Sequence, residues 1–210
     1  MEEGTVSFFS LPPHDVVFPR IFCHLDILEI WQFRTICRRF LAICDEFFRV
    51  CPSLTVHDSD VVNHFGAVYS ILGRCQHLLE FRLIGLHYTS VVPSSYGGII
   101  RKYTALLTIL TSRGESVKLR RLCLKSLELA EMHKMMSKLA VCCSQLDELV
   151  LCSISPFDDE ALDILMSQCN HMKLVKLTVR NLRIQGHSLL KLVSQCPNLK
   201  YLCVSYCNHN

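Results

Sequence analysis

Thirteen cysteines and ten histidines are the residues of this sequence best equipped for chemistry. Four gather near its end, Cys196, Cys203, Cys207 and His209, and thiolates with an imidazole can hold zinc tetrahedrally. The spacing argues against a metal: no Cys-x-x-Cys pair occurs anywhere, and Cys196 and Cys207 recur with a repeat described below. A nucleophilic thiol fares no better. Cys142-Cys143 follows a predicted core face, and dispersed histidines make chance Cys/His pairings inevitable. Neither G-x-x-x-x-G-K-[ST] nor G-x-G-x-x-G is present, so no nucleotide, metal or other cofactor is indicated. The chain reads as non-catalytic, and its cysteines as packing groups.

Composition narrows the class further. Of 210 residues, 50% are apolar and 20% charged, enough to build a core and too little polarity for a disordered chain. The net charge of +3 is spread without a basic run, so nucleic acid is not an expected partner. No stretch of 18 apolar residues could span a bilayer, and the acidic opening Met1-Glu2-Glu3-Gly4 is unlike a signal peptide. An odd number of cysteines scattered through apolar segments suits reduced, buried thiols. Together these point to the cytosol or nucleus, with no membrane partner.

The apolar residues repeat. A step of three, two and three positions joins Leu78, Phe81, Leu83 and Leu86, then Leu119, Leu122, Leu124 and Leu127. It returns as Leu146, Leu149, Leu151, Ile154, as Leu174, Leu177, Val179, Leu182, and as Leu199, Leu202, Val204, Cys207. The third members lie 41, 27, 28 and 25 residues apart, near the length of one strand-plus-helix unit, with an insertion in the first interval. That insertion is placed near 88–103, with Pro93, Gly97 and Gly98 as loop breakers. Leu54-Thr55-Val56 forms a degenerate earlier strand. The alternating members predict strands. Helical spacing predicts helices over Val61–Leu72, Met132–Cys143, Ala161–Cys169 and Leu189–Cys196, the third capped by Asp158. Burying a Leu is worth roughly 1.5–3 kcal/mol against about 1–2 per ordered residue, so no unit stands alone and neighbours must stack. The expected fold class is α/β: a curved parallel sheet of five to six units over residues 50–210, with helices on the convex side.

The run Cys196-Pro-Asn-Leu199-Lys-Tyr-Leu202-Cys-Val204-Ser-Tyr-Cys207 resembles the cysteine-containing class of leucine-rich repeats, and Cys75-Gln-His-Leu78 and Cys143-Ser-Gln-Leu146 repeat its opening. Where that class carries Asn or Cys after the strand, four units have Leu86, Leu127, Ile154 and Leu182. Apolar groups fill volume but cannot bond backbone, so those turns are expected to be less regular. The sequence stops after a strand and before the helix of that unit. The solenoid is therefore expected to be truncated, with an exposed apolar edge.

Residues 7–49 differ. Ser10-Leu11-Pro12-Pro13-His14 opens a helical pattern of Val17, Ile21, Phe22 and Leu25, which Pro19 should kink; a second segment spans Leu28–Phe33, and a third carries Ile36, Cys37, Phe40, Leu41 and Cys44. Three short helices hold more apolar residues than so small a bundle can hide, which makes this a docking module. Leu11-Pro12, Val16-Val17, Ile21-Phe22, Leu25 and Ile36-Cys37-Arg38-Arg39-Phe40 resemble the F-box.

An F-box before such repeats is similar to the substrate receptors of SCF-type cullin-RING ubiquitin ligases. The resemblance implies docking on a Skp-type adaptor and its cullin-RING scaffold through Leu11, Pro12, Val17, Ile21, Phe22, Leu25, Ile36, Cys37 and Phe40, with Phe22 and Phe40 as preferred anchors. The repeats would hold a protein substrate. Strand alternation places Arg82, Arg121, Lys125, Glu148, Lys176, Arg180 and Tyr201 on the concave face, where Arg121, Lys125, Lys176 and Arg180 could receive an acidic or phosphorylated segment. Two other readings stay open: a plain scaffold whose helical N-terminus caps the solenoid, and a GTPase-regulating protein.

Overall fold

The structure is a computed structural model that describes residues 7–86, 96–112, 118–167 and 169–207. Six strands, β1 (Ser53–His57), β2 (Glu80–Ile84), β3 (Arg121–Glu128), β4 (Glu148–Ser155), β5 (Lys176–Arg180) and β6 (Tyr201–Ser205), form one sheet in chain order, every pair parallel. Between consecutive strands run α4 (Asp58–Arg74), α5 (Tyr96–Thr111), α6 (Met132–Cys142), α7 (Asp159–Met166) and α8 (Gly186–Gln195). Neighbouring helices pack on one another, α4 on α5, α5 on α6 and α6 on α7, so they share one side of the sheet and leave its other face open. The architecture is α/β. Among the described residues no helix is long and apolar enough to cross a membrane.

The apolar step explains the register. Leu54, Phe81, Leu122, Leu149, Leu177 and Leu202 stand side by side across the sheet, and Val56, Leu83, Leu124, Leu151, Val179 and Val204 form a second row. Both rows are buried from β1 to β5. In β6, which pairs on one edge only, Leu202 and Val204 stay 46% and 42% exposed. The backbone repeats too: the carbonyls of Pro52, Leu79, Arg120, Asp147 and Val175 each accept two N–H groups from the start of the next strand. The cysteines that open the repeats, Cys75, Cys143, Cys169 and Cys196, are buried in the same core. All thirteen cysteines are free thiols.

The strands leave the sheet through a recurring bend in which Ser126, Ser153, Asn181 and Tyr206 take φ near +50°, the left-handed region. The loss of regularity expected from apolar residues after these strands is absent between β3 and β4: pairing runs on through Leu127↔Ile154 and Glu128↔Ser155, and both apolar side chains are buried. Cys207 behaves otherwise, its Sγ donating to the Val179 carbonyl at 3.9 Å. Gly85, level with Ser126 at the end of β2, lies with its backbone against β3; a Cβ there would meet the Ser126 carbonyl oxygen at 2.1 Å.

Two expectations need correction. Residues 96–103 of the expected insertion loop belong to α5, because Ile99, Tyr103, Leu106, Leu107 and Leu110 line one buried helical stripe; the rest of the insertion, Pro93 included, lies outside the described residues. Gly97 and Gly98 sit in the first turn of α5 with open space beside them, where they break nothing. The helix docks by polar bonds as well: Tyr103 donates to the buried Asp58 of α4, and Lys102 Nζ to the Val61 and Val62 carbonyls at 3.2 and 3.1 Å. The first N-terminal helix is not one helix. Pro13–Val17, α1 (Phe18–Arg20) and Phe22–His24 are successive single turns, since Pro19 brings no N–H and fixes its own φ. Next come α2 (Ile27–Phe33), held by a capping box in which Asp26 accepts from Leu28 N–H and Glu29 accepts from Asp26 N–H, and α3 (Arg38–Val50).

On the convex side Asp158 caps α7 by accepting from Ala161 N–H at 2.9 Å, and its carboxylate faces His133 Nε2 of α6 at 3.1 Å. Burial pushes the Asp158 carboxyl up, but the Ala161 and His133 bonds outweigh it and hold it below its ordinary value; the same bond with Asp158 raises His133. A histidine raised in the fold stabilises fully below its ordinary 6.5 and loses that contribution as pH rises through the folded value. Asp158, lowered, contributes above its ordinary 3.8 and loses that contribution as pH falls. In urea titrations His133→Gln should therefore be less stable than wild type in mild acid, near the ordinary histidine value, with the gap closing at alkaline pH. Gly85→Ala should cost about 1–3 kcal/mol at all pH values, the penalty of forcing volume into a close backbone contact, read from the same titrations.

Candidate functional site

Outward-facing residues of the sheet form three rows in register. The first is Ser53, Glu80, Arg121, Glu148, Lys176, Tyr201; the second Thr55, Arg82, Cys123, Val150, Thr178, Cys203; the third His57, Ile84, Lys125, Cys152, Arg180, Ser205. Between β2 and β6 they surround a concavity of about 320 Å³. All seven residues assigned to this face from the sequence line it: Arg82, Arg121, Lys125, Glu148, Lys176, Arg180 and Tyr201. They hold their places because the alternate residues of the same strands are locked into the leucine rows beneath.

Five cations and two carboxylates face this space, and they do not share charge equally. The Glu80 side chain, 7% exposed, is compensated by Arg82 and by Arg121, whose Nη2 lies 2.8 Å away. A buried carboxylate without such partners would be costly, so these arginines hold the fold as well as the surface. Lys176 pairs with Glu148 at 2.7 Å and lies 5.4 Å from the Tyr201 ring centroid; the carboxylate bond holds the ammonium above its ordinary value. Arg180 instead turns to a thiol, donating to Cys203 Sγ at 3.0 and 3.3 Å. The Lys125 carbonyl accepts from Gly85 N–H, but among the described residues its ammonium has neither a hydrogen bond nor an ion pair. The four basic positions thus split into two engaged cations, Arg121 and Lys176, and two without a carboxylate, Lys125 and Arg180. Ionic pairing along a row depends on strand order, which is why the sequence reading missed it.

A second surface lies on the N-terminal segment. Phe40 stacks on Phe8 at 5.1 Å between centroids and meets Phe9 edge-on at 5.1 Å, with Phe33 at 5.7 Å. Beside this cluster Ile36 is 60% exposed, Leu41 37%, and Pro12 and Cys37 are open to solvent. Leu11 is half-buried. The nine residues expected to face an adaptor therefore divide. Val17 and Phe22 are buried in the core, and Phe22, a preferred anchor, is corrected to a core residue packed on Phe18 and Phe47. Ile21 and Leu25 are half-buried against that core. Leu11 packs against the core in the same way, whereas Pro12, Ile36 and Cys37 are exposed and Phe40 is half-buried in its ring cluster, Ile36 and Cys37 just ahead of α3 and not within it. Phe8 and Phe9 were overlooked because they precede the first Leu-Pro; an aromatic pair at the start of an apolar segment was the available signal.

The inner side of the same segment packs on the first strand-helix unit. Asp45 of α3 receives Arg34 Nε at 2.8 Å and Arg74 Nε of α4 at 3.1 Å, and both guanidinium groups lie over the Trp31 ring, at 4.0 and 5.2 Å. Burial pushes the thiols of Cys44 and Cys142 up to about 11, so neither is a thiolate at neutral pH. Among the described residues no three His, Cys, Asp or Glu side chains gather as a metal would require; His209 lies outside them.

No family model matches the chain. No curated protein matches it either. The division among the concave cations is open to measurement: Arg121→Ala, which leaves Glu80 a single partner, should lose about 1–3 kcal/mol in urea titration, whereas Lys125→Ala should stay within about 0.5 kcal/mol of wild type.

Proposed function

We propose that the chain is a non-catalytic substrate-recognition subunit of an SCF-type cullin-RING ubiquitin ligase, its N-terminal segment an F-box that docks a Skp-type adaptor and its sheet a leucine-rich-repeat solenoid that holds a protein substrate. The observation that carries the reading is the exposed Ile36 and Leu41 together with the half-buried ring cluster of Phe8, Phe9 and Phe40, on a segment whose other side is already packed. A segment that served only as a cap would have no use for exposed isoleucine and leucine beside a cluster of phenylalanine rings, while a docking module needs a few such anchors. Capping and docking use opposite sides of the same turns, so the packing of Trp31 and Phe48 against each other and the Arg74–Asp45 pair fit both roles. The scaffold reading keeps only the cap. For GTPase regulation no particular arginine stands out.

The adaptor side is tested by capture of a purified Skp-type adaptor on the immobilised chain. Phe40→Ala should weaken capture by roughly 2 kcal/mol, about thirtyfold, and Ile36→Asp should abolish it while circular dichroism stays that of the wild type. Capture undiminished in both variants would overturn the proposal. Phe22→Ala is not informative here, because it would leave a cavity in the core.

A further inference from the structure

Two cations of the concave face stand apart from its ionic network. Lys125 and Arg180 occupy the same outward row on β3 and β5, with Cys152 of β4 between them. Two strand spacings separate their backbones, about 9–10 Å, a gap that two long basic side chains close around one anionic group. Both cations act on the Cys152 thiol electrostatically, each favouring its charged form, although burial is the larger effect and leaves that thiol raised. The floor between them is therefore within reach of both charges and carries no carboxylate. Glu80 and Glu148 both lie in the first row and are spent on Arg82, Arg121 and Lys176.

We propose that Lys125 and Arg180 form an anion seat over Cys152, and that the concave face takes an acidic protein segment whose carboxylate or phosphate group occupies that seat. The proposal rests on the substrate-receptor reading and names the chemistry its substrate must offer. Charge complementarity selects the occupant: five cations against two carboxylates leave the concavity with a surplus of three positive charges, one shared by Arg82 and Arg121 around Glu80 and one on each of these two residues. Nucleic acid is the poorer fit, since a phosphate backbone needs a track of uncompensated cations and only two are present. Tyr201 and Val150, in the neighbouring rows, supply apolar contact for a peptide's side chains. Arg180 must release Cys203 Sγ, a weak acceptor, to engage the anion, an exchange that favours the charged partner.

The test is fluorescence anisotropy with the full chain and three fluorescein-labelled probes: hexaglutamate, the same peptide with one central phosphoserine, and hexaserine. Hexaglutamate or its phosphoserine form should bind and hexaserine should not. The double variant Lys125→Gln, Arg180→Gln should weaken binding about tenfold or more, while Lys134→Gln with Lys191→Gln, which removes the same charge from the helical side, should leave it within about twofold. Glu148→Gln, which frees Lys176 and removes a negative charge, should tighten binding. The proposal is overturned by equal losses in the two double variants, by no binding of either acidic peptide, or by tighter binding of a single-stranded oligodeoxynucleotide of equal charge. Adaptor capture separates this failure from that of the parent reading: Lys125→Gln, Arg180→Gln should still capture the adaptor, and Ile36→Asp should still bind hexaglutamate.

Discussion

The structure depends on the inability of any one strand to bury its own leucines. Each strand brings two or three large apolar residues to one side, and a five-residue strand has no second layer with which to cover them. Cover comes from the strand on either side and from the helix that follows, so burial is collective. Leu177 and Val179 of β5 are fully buried, while the same positions of β6, with a neighbour on one edge only, are nearly half exposed. β1, the strand at the other edge, keeps Leu54 and Val56 buried in the core it shares with Phe22, Ile30 and Phe48 of the helical segment, so cover can come from a helix as well as from a strand.

The same constraint sets the open face. Because inward residues are locked in register, the alternate residues are placed in equally strict rows, and charge on one strand meets charge on the next at a fixed lateral distance. Glu80 meets Arg121, Glu148 meets Lys176, and Lys125 and Arg180 stand on either side of Cys152. The surface chemistry is in this sense written by the core: a slip of one residue in any strand would send its charges inward and its leucines out.

Much of the fold was legible because the apolar step recurs with little variation. Alternation identified β2 to β6 and the concave residues, and helical spacing located α4, α6, α7 and α8. What escaped were features that depend on more than one segment. The helix α5 was hidden by Pro93, Gly97 and Gly98, which suggest a loop when read locally; its stripe from Ile99 to Leu110 was outweighed because the glycines come first. Phe22 reads locally as a surface anchor because in a short apolar segment the sequence does not say which side faces the first strand. Phe18, Phe22 and Phe47 settle this by packing together, and Phe40 joins a second, half-buried cluster with Phe8 and Phe9. The split among the concave cations was unreadable for a related reason, since ion pairs across strands require knowing which strands are neighbours.

Asp45, held by Arg34 from its own segment and by Arg74 from the first repeat over the face of Trp31, has a mechanical meaning. It welds the helical end to the arch where a flexible hinge would otherwise let the two swing. On the proposed function, a molecule gripped by the arch would be carried on a lever whose length and angle that joint helps to fix. Delivery would then be a matter of aim, its precision set by the aspartate-centred joint together with the apolar core that Phe22, Ile30 and Phe48 share with the first repeat.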